Sequence, residues 1–442
     1  MGPGQRWRPR PESEGETGMN TILSYLKADA SVSDYKYNEH KRESCELFFV
    51  KGKLETVRRT ATCDKQVTVY VDHDGFKGES SFLVYPSTTE GELQEKITDA
   101  VAKAKLINNA DYALPEKETG SFEVASNFAD YELSALSEKI AECVFAANTL
   151  ENADLNSVEV FVTRHTESVV NSRGIDKTQI RYSAMVEAIP TFNGETESVE
   201  LYQQYNFASM DEATIQNEIA AKLREVKARA QAKKPEGELA GKVILNKLEL
   251  SELFGNIAYN LDYSAVYAHA SVFQKGDAIQ KDATGDKFSI TMSGEVEGNL
   301  QSNKFDSDGL TLGSIAIVED GVATNYYGNN RFGQYLKEVP TGRLGCMTVA
   351  PGSVSAEELA AGPALEVVSM SGLQVDFYTD YIGGEVRLAY WNDGKTVTPV
   401  TGISITGKLS QVLSSLRLSE TIAIHDGYVG PEKAILSDMQ IF

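Results

Sequence analysis

Lys233-Lys234-Pro235-Glu236-Gly237-Glu238 divides this chain into two halves that obey different periodicities. Apolar residues upstream of it recur at helical spacing at the end of each of two similar stretches. Downstream, short alternating runs rich in Val, Thr, Ser and Gly take over. Pro235 and Gly237 stop the preceding helix, because neither residue continues one. The boundary predicts an N-terminal α+β domain over 19–234 and a C-terminal domain over 239–442. A chain of 442 residues is long enough for each to bury its own core.

Upstream of the boundary the sequence matches itself between about 45–106 and 158–230. Glu55-Thr56-Val57 and Asp64-Lys65 stand 112 positions before Glu167-Ser168-Val169 and Asp176-Lys177, and Ser87, Glu90, Leu93, Ile97 and Val101 stand 122 positions before Ser209, Glu212, Ile215, Ile219 and Leu223. The difference places a loop insertion near Ile189-Pro190-Thr191-Phe192-Asn193-Gly194. Each copy reads as strands followed by a helix. In the first, the strands are 46–50, the region of Val57, 67–71 and 81–85; in the second, 158–162 and 180–186. Ser87 with Glu90 and Ser209 with Glu212 have capping-box spacing at the start of the closing helices. Two further helices are expected, one opening at Met19 (Ile22, Leu23, Leu26) and one around Leu133, Leu136, Ile140 and Val144.

Downstream, Phe288-Ser289-Ile290-Thr291-Met292 and Val386-Arg387-Leu388-Ala389-Tyr390 alternate as strands do, and Trp391-Asn392-Asp393-Gly394-Lys395 carries the Asp-Gly turn of a hairpin. Helices are expected near 249–260 and 408–416. The fold class is therefore α+β, a duplicated strand-helix domain followed by a mostly antiparallel, β-rich one.

Forty-two Lys and Arg against sixty-four Asp and Glu leave a formal charge of −22, spread along the chain. Such a surface repels nucleic acid and anionic membranes. Cys45, Cys63, Cys143 and Cys346 stand far apart and read as free thiols of a reducing compartment. No apolar run reaches the length of a membrane span, and residues 1–18 lack the apolar core of a signal peptide. They read as a disordered leader, with Met19 a candidate native start.

Catalytic signatures are missing. The five histidines are His40, His73, His165, His269 and His425, and neither HExxH nor HExxxH occurs. His165-Thr166-Glu167 has no downstream CxxC to make it a deaminase motif and reads as an ordinary surface pair. His425-Asp426-Gly427 reads as a turn between strands. GxSxG, GxGxxG and GxxxxGK[ST] are also absent.

Several landmarks in order do carry a resemblance. Val170-Asn171-Ser172-Arg173-Gly174, Val243-Ile244-Leu245-Asn246-Lys247-Leu248-Glu249-Leu250, Phe305-Asp306-Ser307-Asp308-Gly309-Leu310, Ile317-Val318-Glu319-Asp320-Gly321-Val322, Asn325-Tyr326 and Thr341-Gly342 together resemble the TldD/PmbA family. Its members have been described as peptidase subunits and as proposed modulators of DNA gyrase. The resemblance runs from about residue 20 to the C-terminus. It implies that a catalytic subunit, TldD, carries HExxxH on the first helix of the C-terminal domain, where two histidines hold zinc and the Glu acts as base. The matching stretch here, Leu250-Ser251-Glu252-Leu253-Phe254-Gly255-Asn256-Ile257-Ala258-Tyr259, keeps Glu252 and has no histidine.

The resemblance therefore implies the PmbA branch, also called TldE, a cytoplasmic, non-catalytic subunit that binds no cofactor itself. Zinc is expected on a TldD-like partner, and unfolded peptides are the expected substrate. Neither nucleic acid nor membrane is an expected partner, and the isolated chain is a candidate homodimer. No residue is assigned a catalytic role. Asp306 and Asp308 are candidates for a peptide groove, set against the plainer role of stabilising the turn at Gly309. Two rival readings remain, an independent metallopeptidase built from scattered histidines and carboxylates, and an acidic protein that regulates DNA gyrase. Two histidines converging on a carboxylate would favour the first rival.

Overall fold

The computed structural model describes residues 18–195 and 198–442; most of the expected leader lies outside them. The N-terminal half runs α1 (Met19–Ala28), β1 (Asp34–Val50), β2 (Lys53–His73), β3 (Phe76–Val84), α2 (Glu90–Ala104), β4 (Thr119–Glu123), α3 (Leu133–Ala146), β5 (Ala153–Asn171), β6 (Asp176–Asn193), β7 (Ser198–Glu200), β8 (Gln203–Phe207) and α4 (Glu212–Gln231). One sheet holds all these strands, in the order β3-β2-β1-β5-β6-β4, with β7 and β8 also paired to β6. The repeating unit is larger than the stretch in which the sequence repeats. It is helix, strands, helix, with three strands in the first unit and four in the second, and the two units join where β1 runs antiparallel to β5.

Strands alternate their side chains between faces, and that alternation sorts this sheet into an apolar and a polar side. Tyr35, Tyr37, Val67 and Val69 pack beneath Ile22 and Leu26 of α1 and Leu93 and Ile97 of α2. Val158, Val160, Val162, Ala184 and Val186 do the same beneath Leu136 and Ile140 of α3 and Ile215 and Ile219 of α4. All four helices thus cover one face.

The helix caps lie two residues beyond the expected ones. Thr89 makes the capping box with Glu92, and Asp211 accepts from the N–H groups of Ala213 and Thr214. Thr88 is already committed to a turn with Tyr85, so the helix cannot begin earlier. Glu90 and Glu212, expected as capping carboxylates, instead tie each helix pair together: Glu90 accepts from the Tyr25 hydroxyl of α1, and Glu212 pairs with Lys139 of α3 at 2.7 Å. The strands differ too. Regions read as separate strands near Val57 and at 67–71 are one continuous β2, whose exposed first half has no apolar alternation to reveal it. The residues expected to form an inserted loop, 189–193, lie within β6.

The C-terminal half opens with β9 (Lys242–Asn246) and α5 (Lys247–Asn260). A six-stranded sheet includes Ile290–Ser293, Ser314–Glu319, Cys346–Val349 and Tyr428–Pro431; a nine-stranded sheet includes β9, Ala364–Met370, Tyr381–Asn392 and Ile403–Lys408. Most pairings are antiparallel. Asp393 closes the expected hairpin by accepting from Lys395 and Thr396 N–H. Leu250, Leu253, Phe254 and Ile257 of α5 share one core with residues of both sheets. No helix among the described residues is long and apolar enough to cross a membrane.

Glu249, on the first turn of α5, is 2% exposed, and its Oε2 has no hydrogen-bond partner. Burial raises its pKa from 4.5 to about 7. A carboxyl that stays protonated longer in the folded state stabilises it fully below the unfolded pKa, and that contribution is lost as pH rises through the folded value. Stability is therefore expected to fall by roughly 3 kcal/mol between about pH 4.5 and pH 7 on account of this group. Urea unfolding of Glu249→Gln at several pH values should show this part of the slope removed.

Candidate functional site

The polar face of the N-terminal sheet is built in rows. Cross-strand register sets Asp64, His40, Glu167 and Gln179 side by side on β2, β1, β5 and β6, and the next row is Thr62, Arg42, His165 and Arg181. Because residues two apart share a face, His165 and Glu167 point the same way. They are not the free surface pair expected from the sequence. His40 Nε2 lies 3.0 Å from His165 Nδ1 and 3.5 Å from Glu167 Oε1, and the two imidazoles stack with centroids 5.2 Å apart. On its far side His165 Nε2 meets Ser183 Oγ at 2.9 Å. Arg181 donates to Glu167 Oε1 at 3.0 Å, and the Gln179 amide donates to Oε2 at 2.8 Å. Arg42 is paired with Asp64.

These neighbours set the charges. Burial, helped by Arg181, pulls the His165 imidazole down to about 3, and burial also holds His40 below its ordinary value. Burial works to raise Glu167, but Arg181 and Gln179 overcome it and bring the carboxyl below the usual range. Near neutral pH the cluster is two neutral imidazoles beside one carboxylate.

A cleft of about 480 Å³ opens over this row, and its opposite wall is the loop of residues 303–312 with Arg343. That loop holds both aspartates singled out in the sequence. Asp306 lines the cleft but spends its oxygens on the loop itself: Oδ1 accepts from Asp308 and Leu310 N–H, and Oδ2 from Arg343 N–H. Burial raises its pKa. Asp308 pairs across the domain junction with Lys36 of β1, and Asn38 donates to Ser307 O at 2.9 Å. Gly309 has φ +89°, and a Cβ there would stand 2.6 Å from Ile175, so glycine is required on both counts.

Residues 239–441 match the family model described as the PmbA/TldA metallopeptidase C-terminal domain. Over 410 residues the chain is 23% identical to a "Metalloprotease PmbA homolog" of Haemophilus influenzae, covering 88% of each. The C-terminal half thus matches that metallopeptidase family model, and the chain as a whole is similar to a PmbA homolog. The chain's fold is shared with solved structures. TldE from Thermococcus kodakarensis superposes with a TM-score of 0.75 at 13% identity, covering 96% of this chain and 99% of that one. A Bacteroides thetaiotaomicron protein described as a candidate modulator of DNA gyrase gives 0.74 at 15% identity, covering 96% and 97%.

The match directs attention to α5, the helix on which the resemblance places the zinc motif. With Glu252 set on the Glu of HExxxH, as the resemblance implies, Ser251 and Asn256 fall on its two histidine positions. Glu252 Oε2 accepts from Leu373 N–H at 2.9 Å, and the Asn256 amide donates to the Glu252 carbonyl. A shallow depression beside them is lined by Glu252, Gly255, Asn256, Tyr259, Gly372 and Leu373. A single carboxylate among an amide, a phenol and backbone does not fit a zinc ion. Among the described residues, the one cluster of three potential metal ligands is His40, His165 and Glu167, whose ligating atoms all lie within 4.8 Å of one another. His425-Asp426-Gly427 is the turn between Ile422–His425 and Tyr428–Pro431, as expected.

Replacing Asp306 by Ala would strip three backbone N–H groups of their acceptor inside the domain junction. Asp306→Ala is expected to lose about 3 kcal/mol in urea unfolding, and Asp306→Asn, which keeps an acceptor oxygen, to lose less.

Proposed function

We propose that this chain is the non-catalytic, TldE-like subunit of a cytosolic metallopeptidase. A TldD-like subunit carries the zinc, and this chain supplies one wall of the chamber that takes unfolded peptides. The observation that carries this reading is the state of α5: in a chain with a metallopeptidase-family C-terminal domain, the zinc-motif positions hold Ser251, Glu252 and Asn256, and Glu252 is bound to backbone. The unassisted chain then has no activated water at that place. Its cleft, walled by a polar sheet face and a hydrogen-bonding loop, suits an extended peptide held by its backbone with little sequence preference.

The convergence of His40 and His165 on Glu167 favours the rival reading, an independent metallopeptidase. That reading lacks a free base. Glu167 is held by Arg181 and Gln179, and the next carboxylate in the row, Asp64, is paired with Arg42.

Hydrolysis of an unfolded peptide, measured for the chain alone and mixed with a zinc-motif subunit of the same organism, separates the two. Chelator-sensitive cleavage is expected only in the mixture, with both chains co-eluting in gel filtration. Cleavage by the lone chain, abolished in His165→Ala, would establish the rival instead.

A further inference from the structure

His40 Nε2, His165 Nδ1 and Glu167 Oε1 converge beside the cleft, with His40 and Glu167 in its lining. With both rings neutral, a single N–H lies between the two facing nitrogens, whichever ring carries it. One of the three atoms then carries that proton and the other two are acceptors. Two ligands at 2.0–2.1 Å from a tetrahedral ion stand roughly 3.4 Å apart. The separations of 3.0 and 3.5 Å around His40 Nε2 lie close to that spacing.

The surroundings fit as well. Ser183 Oγ sits 2.9 Å from the far nitrogen of His165 and can accept its N–H, which orients the ring so that Nδ1 offers a lone pair. Arg181 and Gln179 fix the Glu167 carboxylate from behind. The charges of Arg181 and Arg42 are balanced by Glu167 and Asp64, so a cation does not enter a field of bare guanidinium groups. The ligands come from the adjacent strands β1 and β5, and strands hold their side chains more rigidly than loops do.

We propose that His40, His165 and Glu167 bind one divalent transition metal of the zinc class on the N-terminal sheet, apart from the family's zinc position on α5. Two imidazoles and a carboxylate are the ligand set that leaves a fourth position open, and His40 and Glu167 both line the cleft. The open position faces the space that would receive a peptide, where a carbonyl or carboxylate oxygen can fill it. This inference departs from the expectation that the chain binds no cofactor, and it requires no catalysis by the bound ion.

Full-length protein stripped with EDTA and titrated with Co²⁺ tests it. The expected result is one equivalent bound with visible tetrahedral d–d absorption, displaced by Zn²⁺. His165→Ala and Glu167→Gln should abolish the spectrum, and Ser183→Ala should weaken binding about 10- to 100-fold. His425→Ala should leave the spectrum unchanged. If His165→Ala fails to fold, His40→Gln, at the half-exposed rim, serves in its place. Absence of stoichiometric Co²⁺, or a spectrum that survives loss of either histidine, overturns the proposal. Because metal binding is read without activity, failure here is distinct from failure of the partner-subunit reading.

Discussion

Lys177 is fully buried, and the relation between the two halves of this protein depends on how its charge is met. Its ammonium donates to Gly309 O at 2.9 Å and Thr311 Oγ1 at 2.7 Å and pairs with Glu118 at 2.5 Å. Burying an ammonium is costly unless its hydrogen bonds are replaced, so the loop of residues 305–311 must present these acceptors in one geometry. Asp306 shapes the loop by collecting three N–H groups, and Gly309 lets the backbone come against Ile175. Phe122, Val169, Ile175 and Phe305 seal the contact from water. The same loop is one wall of the cleft, so the buried cation also fixes the distance between the cleft's two sides.

This arrangement explains why the sheet face turned towards the C-terminal half is mostly polar. The four helices take the other face, where β-branched and aromatic residues pack. Towards the C-terminal half the sheet presents Lys36, Asn38, Glu167, Lys177 and Gln179, each bonded to a named partner. A cleft between two such surfaces stays open because its walls are already satisfied at its edges and do not collapse on each other. His40 lines it with His165 packed against it, and desolvation keeps both uncharged.

Legibility in the sequence followed the range of the interactions. Helices α1 to α5 were readable because their apolar faces recur within a few residues, and the hairpin at Asp393 because its turn is local. The caps were off by two since Ser87 and Thr89 have equal claims until the turn at Thr88 is known. Polar β-structure was harder. Lys36, Asn38, His40 and Arg42 alternate with Tyr35 and Tyr37, a period-two signal that was present but weak beyond Tyr37, so β1 was read only from residue 46 onward. Without β1, His40 had no place. The cluster depends on the registers β1·β5 and β5·β6, which join residues 125 and 18 positions apart, and single-sequence periodicity does not encode such pairings.

The family resemblance directed attention to α5, whereas the assembled ligands lie on the N-terminal sheet. The two places differ in what their residues already do. Glu252 is committed to Leu373 N–H at the edge of a shallow depression, on a helix whose apolar residues pack into the C-terminal core. His40, His165 and Glu167 converge beside a cleft that two domains enclose. On the proposed partner-subunit reading, α5 contributes no metal ligands and the chain keeps the scaffold that shapes the cleft. On that reading, the chemistry of this chain lies with the sheet face that lines the cleft.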